Sequence, residues 1–363
     1  MFVQALRLNH FRLFTDQVFH FDQPVAVVLG SNAAGKSSLV EAIDLLATGQ
    51  SFRAGRVEEM IQFDQEIGRV KAKVSSQLGV DDKLADLDQV ELEITLTNGE
   101  VRGKKTHKQL YAVNQNKRRK KDFVGKLLTV VFRPEDLRLI EGSPSRRRDY
   151  LDKPMSFVSQ QYSLSLGKYN KALRRRNKLL SQIREGEQPE TALKFWDMSI
   201  LKHGQILQDQ RKKYCQFMNQ SVESPLPMKI EYQPSLITPD RLEQYRRREV
   251  AAGYTLIGPH KDEIDVQLDL DDYRSLASFG SRGQKRLGVL WLKRAEFQFL
   301  EEQTERTPVL LLDDILSELD QDSRKLVVGL VGSEQLIITT TQPELVKELE
   351  QLVGQVQLIE LGS

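Results

Sequence analysis

Residues 30–37, Gly30-Ser-Asn-Ala-Ala-Gly35-Lys36-Ser37, constrain this chain more than any other segment. They match G-x-x-x-x-G-K-S/T, a loop whose glycines let successive backbone N–H groups curl toward phosphate oxygens. Upstream lies an apolar run, Val25-Ala-Val-Val-Leu29, bounded by Pro24 and Gly30, which reads as a buried strand. Downstream, residues 37–48 are apolar at 39, 40, 42, 43, 45, 46 and 47, which predicts a helix buried on most sides. Strand, loop and helix are the order the chemistry needs, because the helix brings its positive dipole end to the anion. Lys36 then supplies a cation for the β- and γ-phosphates, and Ser37 a hydroxyl for Mg²⁺.

Two further segments carry chemistry. Val309-Leu-Leu-Leu-Asp313-Asp314 is an apolar run ending in paired carboxylates. Burying such acids is costly without a cation or a reaction to serve. Beside a phosphate loop, Asp313 reads as the Mg²⁺ acid and Asp314 as the group that polarises water, the alternative being a solvated helix N-terminus. Phe279-Gly-Ser-Arg-Gly-Gln-Lys-Arg286 precedes a helix. Ser281 and the glycine amides there form a second anion-shaped turn, or an ordinary N-cap.

Composition bounds the class. The 363 residues suit two lobes, and 39% apolar with 29% charged residues suits folded rather than disordered chain. The single cysteine, Cys215, excludes a disulfide framework and a Cys-built zinc site, and fits a reducing cytosol. No run reaches membrane-spanning length, so a cytoplasmic protein is expected. Residues 90–97 alternate strictly before Asn98-Gly99, predicting a strand that ends in a hairpin turn. Residues 156–184 and 190–222 are polar and helix-prone, and the Pro-rich stretch 225–239 reads as a boundary. The expected organisation is therefore an ATPase lobe from 1–135 and 226–363 and an inserted helical lobe over 136–225.

The order of these elements, with Ser317-Glu-Leu-Asp320 after the acids, resembles ABC-type ATPases. The subset is the SMC/Rad50/RecF head group, and within it the chain is similar to the bacterial RecF family over essentially its whole length. Phe132-Arg-Pro-Glu-Asp-Leu137, Gly142-Ser-Pro-Ser-Arg-Arg-Arg148, Leu151-Asp152, Leu173 with Arg176-Asn177, and Gly258-Pro-His-Lys-Asp262 carry the rest of the likeness. The resemblance implies an α/β fold: a Rossmann-like P-loop core plus an antiparallel sheet, with an inserted mainly helical lobe. It implies that Gly30, Ser31, Asn32, Ala33, Ala34, Gly35, Lys36, Ser37 and Ser38 hold ATP. Ser37 and Asp313 would hold Mg²⁺, and Asp314 would serve hydrolysis. Ser281, Gly283 and Gln284 match the signature motif that engages ATP across a dimer, and Asp320 the D-loop. Arg53 falls at an arginine-finger position, Thr340 at the switch position, and residues 133–136 in the Q-loop region. Departures are Phe-Gly-Ser in place of Leu-Ser-Gly, Arg282 inside the signature, Lys261 in place of Arg, and Asp314 in place of Glu. The shorter acid implies slow hydrolysis. His260 reads as structural.

The net charge of +2 hides segregation. Residues 101–121 hold nine Lys or Arg and no acid, including Lys117, Arg118, Arg119, Lys120 and Lys121. Residues 164–184 hold seven and no acid, including Arg174, Arg175 and Arg176. Together they read as a phosphate-backbone footprint for sequence-independent, salt-dependent DNA binding. Tyr162, Tyr169 and Trp196 read as packing residues rather than stacking platforms. The resemblance adds a weak DNA-dependent ATPase, an ATP-dependent homodimer clamping duplex DNA and single/double-strand junctions, and work with RecO and RecR to load RecA. The roles implied are repair, replication, recombination and the SOS response. The alternatives are a P-loop NTPase or kinase acting on a small molecule, and a scaffold whose nucleotide is structural.

Overall fold

The structure, a computed structural model, describes residues 1–76, 89–222, 226–269, 272–318, 324 and 335–362. They fall into two compact units: residues 1–134 with 296–363, and residues 135–295. In chain order the strands are β1 Phe2–Phe11, β2 Phe14–His20, β3 Val25–Gly30, β4 Ile67–Ser75, β5 Val90–Thr97, β6 Glu100–Val101, β7 Lys104–Lys105, β8 Gln109–Val113, β9 Asn116–Arg118, β10 Thr129–Phe132, β11 Met228–Gln233, β12 Glu263–Asp269, β13 Tyr273–Ser275, β14 Val309–Asp313, β15 Leu336–Thr340 and β16 Gln357–Leu361. The helices longer than one turn are α1 Lys36–Thr48, α2 Pro144–Val158, α3 Gln160–Arg184, α4 Lys194–Ser221, α5 Pro239–Ala252, α6 Arg282–Thr304 and α7 Pro343–Val353. None of the described helices is long and apolar enough to cross a membrane.

The first unit holds two sheets. Five parallel strands run in the order β10-β14-β15-β3-β16. Every residue of β10, β14 and β15 is buried, as expected of parallel strands covered on both faces. Their unbroken apolar runs follow from that burial. Six strands form the second sheet, β2-β1-β4-β5-β8-β9, paired antiparallel. β4 and β5 alternate buried with less buried residues, the mark of a sheet with one covered face. The expected turn at Asn98-Gly99 is a larger excursion. β5 pairs with β8, and the small β6–β7 hairpin intervenes.

The second unit is helical with a three-stranded sheet, β11-β12-β13. Residues 226–295 belong here, not with the ATPase lobe as the Pro-rich stretch implied. The reason is buried polar chemistry. Asn219 on α4 bonds both the C=O (2.9 Å) and the N–H (2.8 Å) of Ile230 on β11. Arg211 on α4, 2% exposed, pairs with Asp152 at 2.8 Å and with fully buried Asp262 at 2.9 Å. Tyr232 and Gln208 also donate to Asp262. Removing one member of such a set strands a buried charge, which ties these segments into one folding unit. His260 belongs to the same framework. Tyr169 Oη lies 2.8 Å from its Nδ1 and Thr255 C=O 3.1 Å from its Nε2. Burial pushes the imidazole down to about 4, so it is neutral, with Nε2–H donating and Nδ1 accepting.

Candidate nucleotide site

The phosphate loop leaves β3 at the carboxyl end of the parallel sheet, where open α/β sheets place their ligands. Gly35 has φ +102°, and a Cβ there would lie 2.6 Å from Phe14 Cζ, so only glycine closes the loop. Ala33 also turns left-handed, at φ +68°. Ser31, Asn32 and Ala33 are exposed at the loop tip, while Lys36 and Ser38 in the first turn of α1 are buried. Lys36 Nζ reaches back to donate to Gly30 C=O and Ser31 C=O, each at 2.8 Å. Its ammonium is thus held across the mouth of the loop, beside the positive end of a thirteen-residue helix.

Strand register brings the acids to this loop. β14 and β15 pair Asp313 with Thr339, and β15 and β3 pair Thr339 with Val28. Asp313 Oδ1 accepts from Ser37 Oγ at 2.9 Å and from Thr339 Oγ1 at 2.9 Å. A loop hydroxyl and a strand carboxylate share one contact, the pair of hard oxygen donors that suits Mg²⁺. Among the described residues no group of three or more His, Cys, Asp or Glu is placed to cage a metal. Ser37 and Asp313 would be the protein side of a Mg²⁺ that keeps waters and shares phosphate oxygens.

Asp314 is set apart from Asp313. It sits at φ +54°, a conformation Asp tolerates better than most residues. Its N–H is pinned by Thr339 C=O at 3.2 Å and Thr339 Oγ1 at 3.0 Å. Its Oδ1 is buried without a hydrogen-bond partner. A buried acceptor left open beside a phosphate loop is placed to take a proton or a water.

The other expected site residues make contacts of their own. Thr340 is buried, but its Oγ1 accepts from Gln342 N–H at 3.1 Å, and Thr339 holds the acids instead. Arg53 lies 3.9 Å from Glu41 of α1 with its side chain 45% exposed. Glu41, fully buried, takes a bidentate pair from Arg12 at 2.9 and 2.6 Å. In the second unit, Ser281 N–H donates to Gln284 Oε1 at 2.8 Å and Gln284 N–H to Ser281 Oγ at 3.3 Å. That reciprocal pair is a capping box opening α6. Ser281, Arg282 and Gly283 are exposed, and a Cβ on Gly283 would meet no atom within 4 Å. Asp320 lies outside the described residues.

Comparison with known proteins then fixes the family. The model of the RecF/RecN/SMC N terminal domain matches residues 2–359. The "DNA replication and repair protein RecF" of Herpetosiphon aurantiacus is 33% identical over 365 residues, covering 94% of this chain and 93% of that protein. This chain is a member of the RecF family. A solved structure described as the recombination mediator protein RecF-ATP in the RecFOR pathway superposes with a TM-score of 0.82 at 31% identity. It covers 94% of this chain and 92% of that one. An Smc head domain from Pyrococcus furiosus, at 16% identity, 99% of this chain, 94% of that chain and TM-score 0.53, shares the fold. The ABC-type head fold expected from sequence is thus the fold of the family.

In this RecF-family chain the basic runs separate by burial. Lys117, Arg118, Arg119 and Lys121 are exposed on and after β9. Lys120 is not a surface contact: its Nζ donates to Gly49 C=O at the end of α1, 2.9 Å away, and burial pushes it down to about 8. Arg174 and Arg175 are exposed on α3. Arg176 is fully buried, bonded to Asp197 at 2.7 Å, Glu249 at 2.6 Å and Thr255 at 2.8 Å, and is withdrawn from any DNA footprint. Thr339 and Glu41 escaped the sequence reading. The signal for Glu41 was an acid inside an otherwise apolar helix, and for Thr339 the register against Asp313.

Proposed function

We propose that this chain is an ATP-switched, sequence-independent DNA-binding protein of recombinational repair and replication, acting as a homodimeric clamp. The contact of Ser37 and Thr339 with Asp313, beside a phosphate loop, carries the nucleotide part. Ser37 and Asp313 would hold Mg²⁺, which would neutralise phosphate charge. Lys36 exchanges the carbonyls of Gly30 and Ser31 for phosphate oxygens. Asp314 Oδ1 accepts from the attacking water, and its short side chain accords with slow turnover. Arg53, already near the helix that carries the loop, is the candidate finger, with Thr340 and Asp320 as lesser candidates.

The exposed Ser281–Gln284 turn supports closure by a second copy. Its backbone is capped within the turn, while the Ser281 hydroxyl proton, which that cap does not use, and exposed Gly283 stay open to a γ-phosphate. The exposed cations of residues 117–121 and of α3 supply a phosphate-binding surface. Duplex DNA and single/double-strand junctions are the substrates proposed, with RecO, RecR and RecA as partners by family. A small-molecule kinase is disfavoured, because a relative covered over 93% of its length carries a DNA replication and repair name. The test is duplex binding by anisotropy with ATP, with ADP and without nucleotide. Lys36→Arg should bind ATP yet hydrolyse it at a small fraction of the parent rate. Normal turnover in that variant refutes the assigned role.

A further inference from the structure

Within the second unit, one face of α3 and the first turn of α4 line an open cleft of about 400 Å³, formed by Lys171, Arg175, Lys178, Leu179, Gln182 and Trp196. Lys171, Arg175 and Lys178 stand at i, i+4 and i+7, so they share one face of α3. All three are exposed, and among the described residues none makes a hydrogen bond or ion pair. No acid lines the cleft. Trp196 is half-buried and meets exposed Phe195 edge-on, ring centroids 4.9 Å apart at 84°. Its neighbour Asp197 is locked by Arg176 at 2.7 Å and Arg246 at 2.7 Å. The buried ions therefore fix the first turn of α4 against α3, and Trp196 is held rather than loose. Among the described residues these three cations, over an aromatic and aliphatic floor, have no partner.

We propose that this cleft binds single-stranded nucleic acid, with a base on Trp196 and successive phosphates on Lys171, Arg175 and Lys178. Lys171 and Lys178 stand about 10 Å apart along the helix, and side chains of that length converge on the roughly 7 Å that three phosphates of one strand span at B-form rise. The indole supplies the flat π-face that sequence-tolerant binding of single strands uses, and Gln182 an amide at a base edge. An acidic peptide shares the charge but not the regular spacing. The proposal rests on the DNA-binding reading above and adds to it the site for the single strand at a junction.

The full-length protein reports on this directly, because its two tryptophans differ. Trp291 is 1% exposed, and Trp196 lines the cleft. Titration with oligo(dT) should quench the Trp196 emission. Trp196→Leu should weaken labelled oligo(dT) by between about fivefold and a hundredfold, the range for one base–aromatic stack. That loss should exceed the loss for blunt duplex. Lys171→Gln, Arg175→Gln and Lys178→Gln together should lower the salt slope for oligo(dT) by about two units, with an unchanged melting temperature as the fold control. Oligo(dT) binding without quenching, or an unchanged slope in the triple variant, overturns the site and leaves DNA binding standing. A parent protein that binds neither oligo(dT) nor duplex overturns both. Quenching by an Asp/Glu-rich peptide with a terminal aromatic residue, but not by oligo(dT), makes the cleft a peptide site and overturns the proposal.

Discussion

Replacing Thr339 by Val tests whether the acids are held as described. The hydroxyl donates to Asp313 Oδ1 at 2.9 Å, and Asp313 is 7% exposed. A hydrogen bond to a charged, buried acceptor contributes about 1.5–3 kcal/mol. Asp314 N–H keeps Thr339 C=O at 3.2 Å, so the second contact adds little. Val also replaces the hydroxyl with a methyl, which returns about 0.8 kcal/mol through burial. The net loss is about 1–2 kcal/mol, a five- to thirtyfold rise in the opening equilibrium of β14 and β15. Amide hydrogen exchange on those strands reads this factor without involving the tryptophans, both of which lie in the other unit. Thr339→Ser keeps the hydroxyl and loses only the methyl, about 0.8 kcal/mol. Exchange in Val no faster than in the parent, or faster in Ser than in Val, would refute the reasoning.

Two other outcomes follow from buried cations. Arg176→Ala should destabilise the second unit by about 3–5 kcal/mol, because it strands Glu249 and Asp197, whereas Arg175→Ala should change stability by under about 0.5 kcal/mol; tryptophan fluorescence in urea separates them, and equal losses would contradict the placement of Arg176. Lys120, at about 8 when folded, loses its proton before the unfolded chain does at 10.5. The unfolded state therefore binds more protons between those values, and the stability of the first unit should rise with pH across that window. Lys120→Met should flatten the rise in urea midpoints followed by circular dichroism; an identical rise in both proteins would assign it elsewhere.

Much of the nucleotide site was legible because its signals are local. Strand, glycine turn and helix are adjacent in sequence, and β14 announces itself by four apolar residues before its acids. Strands buried on both faces read as short unbroken apolar runs, and here their length and the flanking Pro, Gly and acids mark them as strands. What was not legible depends on pairing across the chain. Thr339 and Thr340 are equivalent in sequence, and only the register against Asp313 distinguishes them. Their side chains point to opposite faces of the sheet, so a slip of one residue exchanges them. Charge runs misled for a related reason. Arg176 follows Arg174 and Arg175 without a break, yet helical geometry turns it inward onto Glu249 while its neighbours face solvent. The boundary drawn at the Pro-rich stretch failed because composition marks a loop but not the partner beyond it. Asp262, far along the chain, is one of the two acids that pair with Arg211.

The proposed clamp requires ATP to join two copies through the Ser281 turn. Light scattering measures it directly. The chain alone and with ADP should scatter as 41.7 kDa, and with ATP and Mg²⁺ as twice that mass. Asp314→Asn, slowed in hydrolysis, should hold the larger species longer, and Ser281→Arg should bind ATP and stay at the smaller mass. A mass unchanged by bound ATP, or a Ser281→Arg variant that doubles as the parent does, would contradict the account.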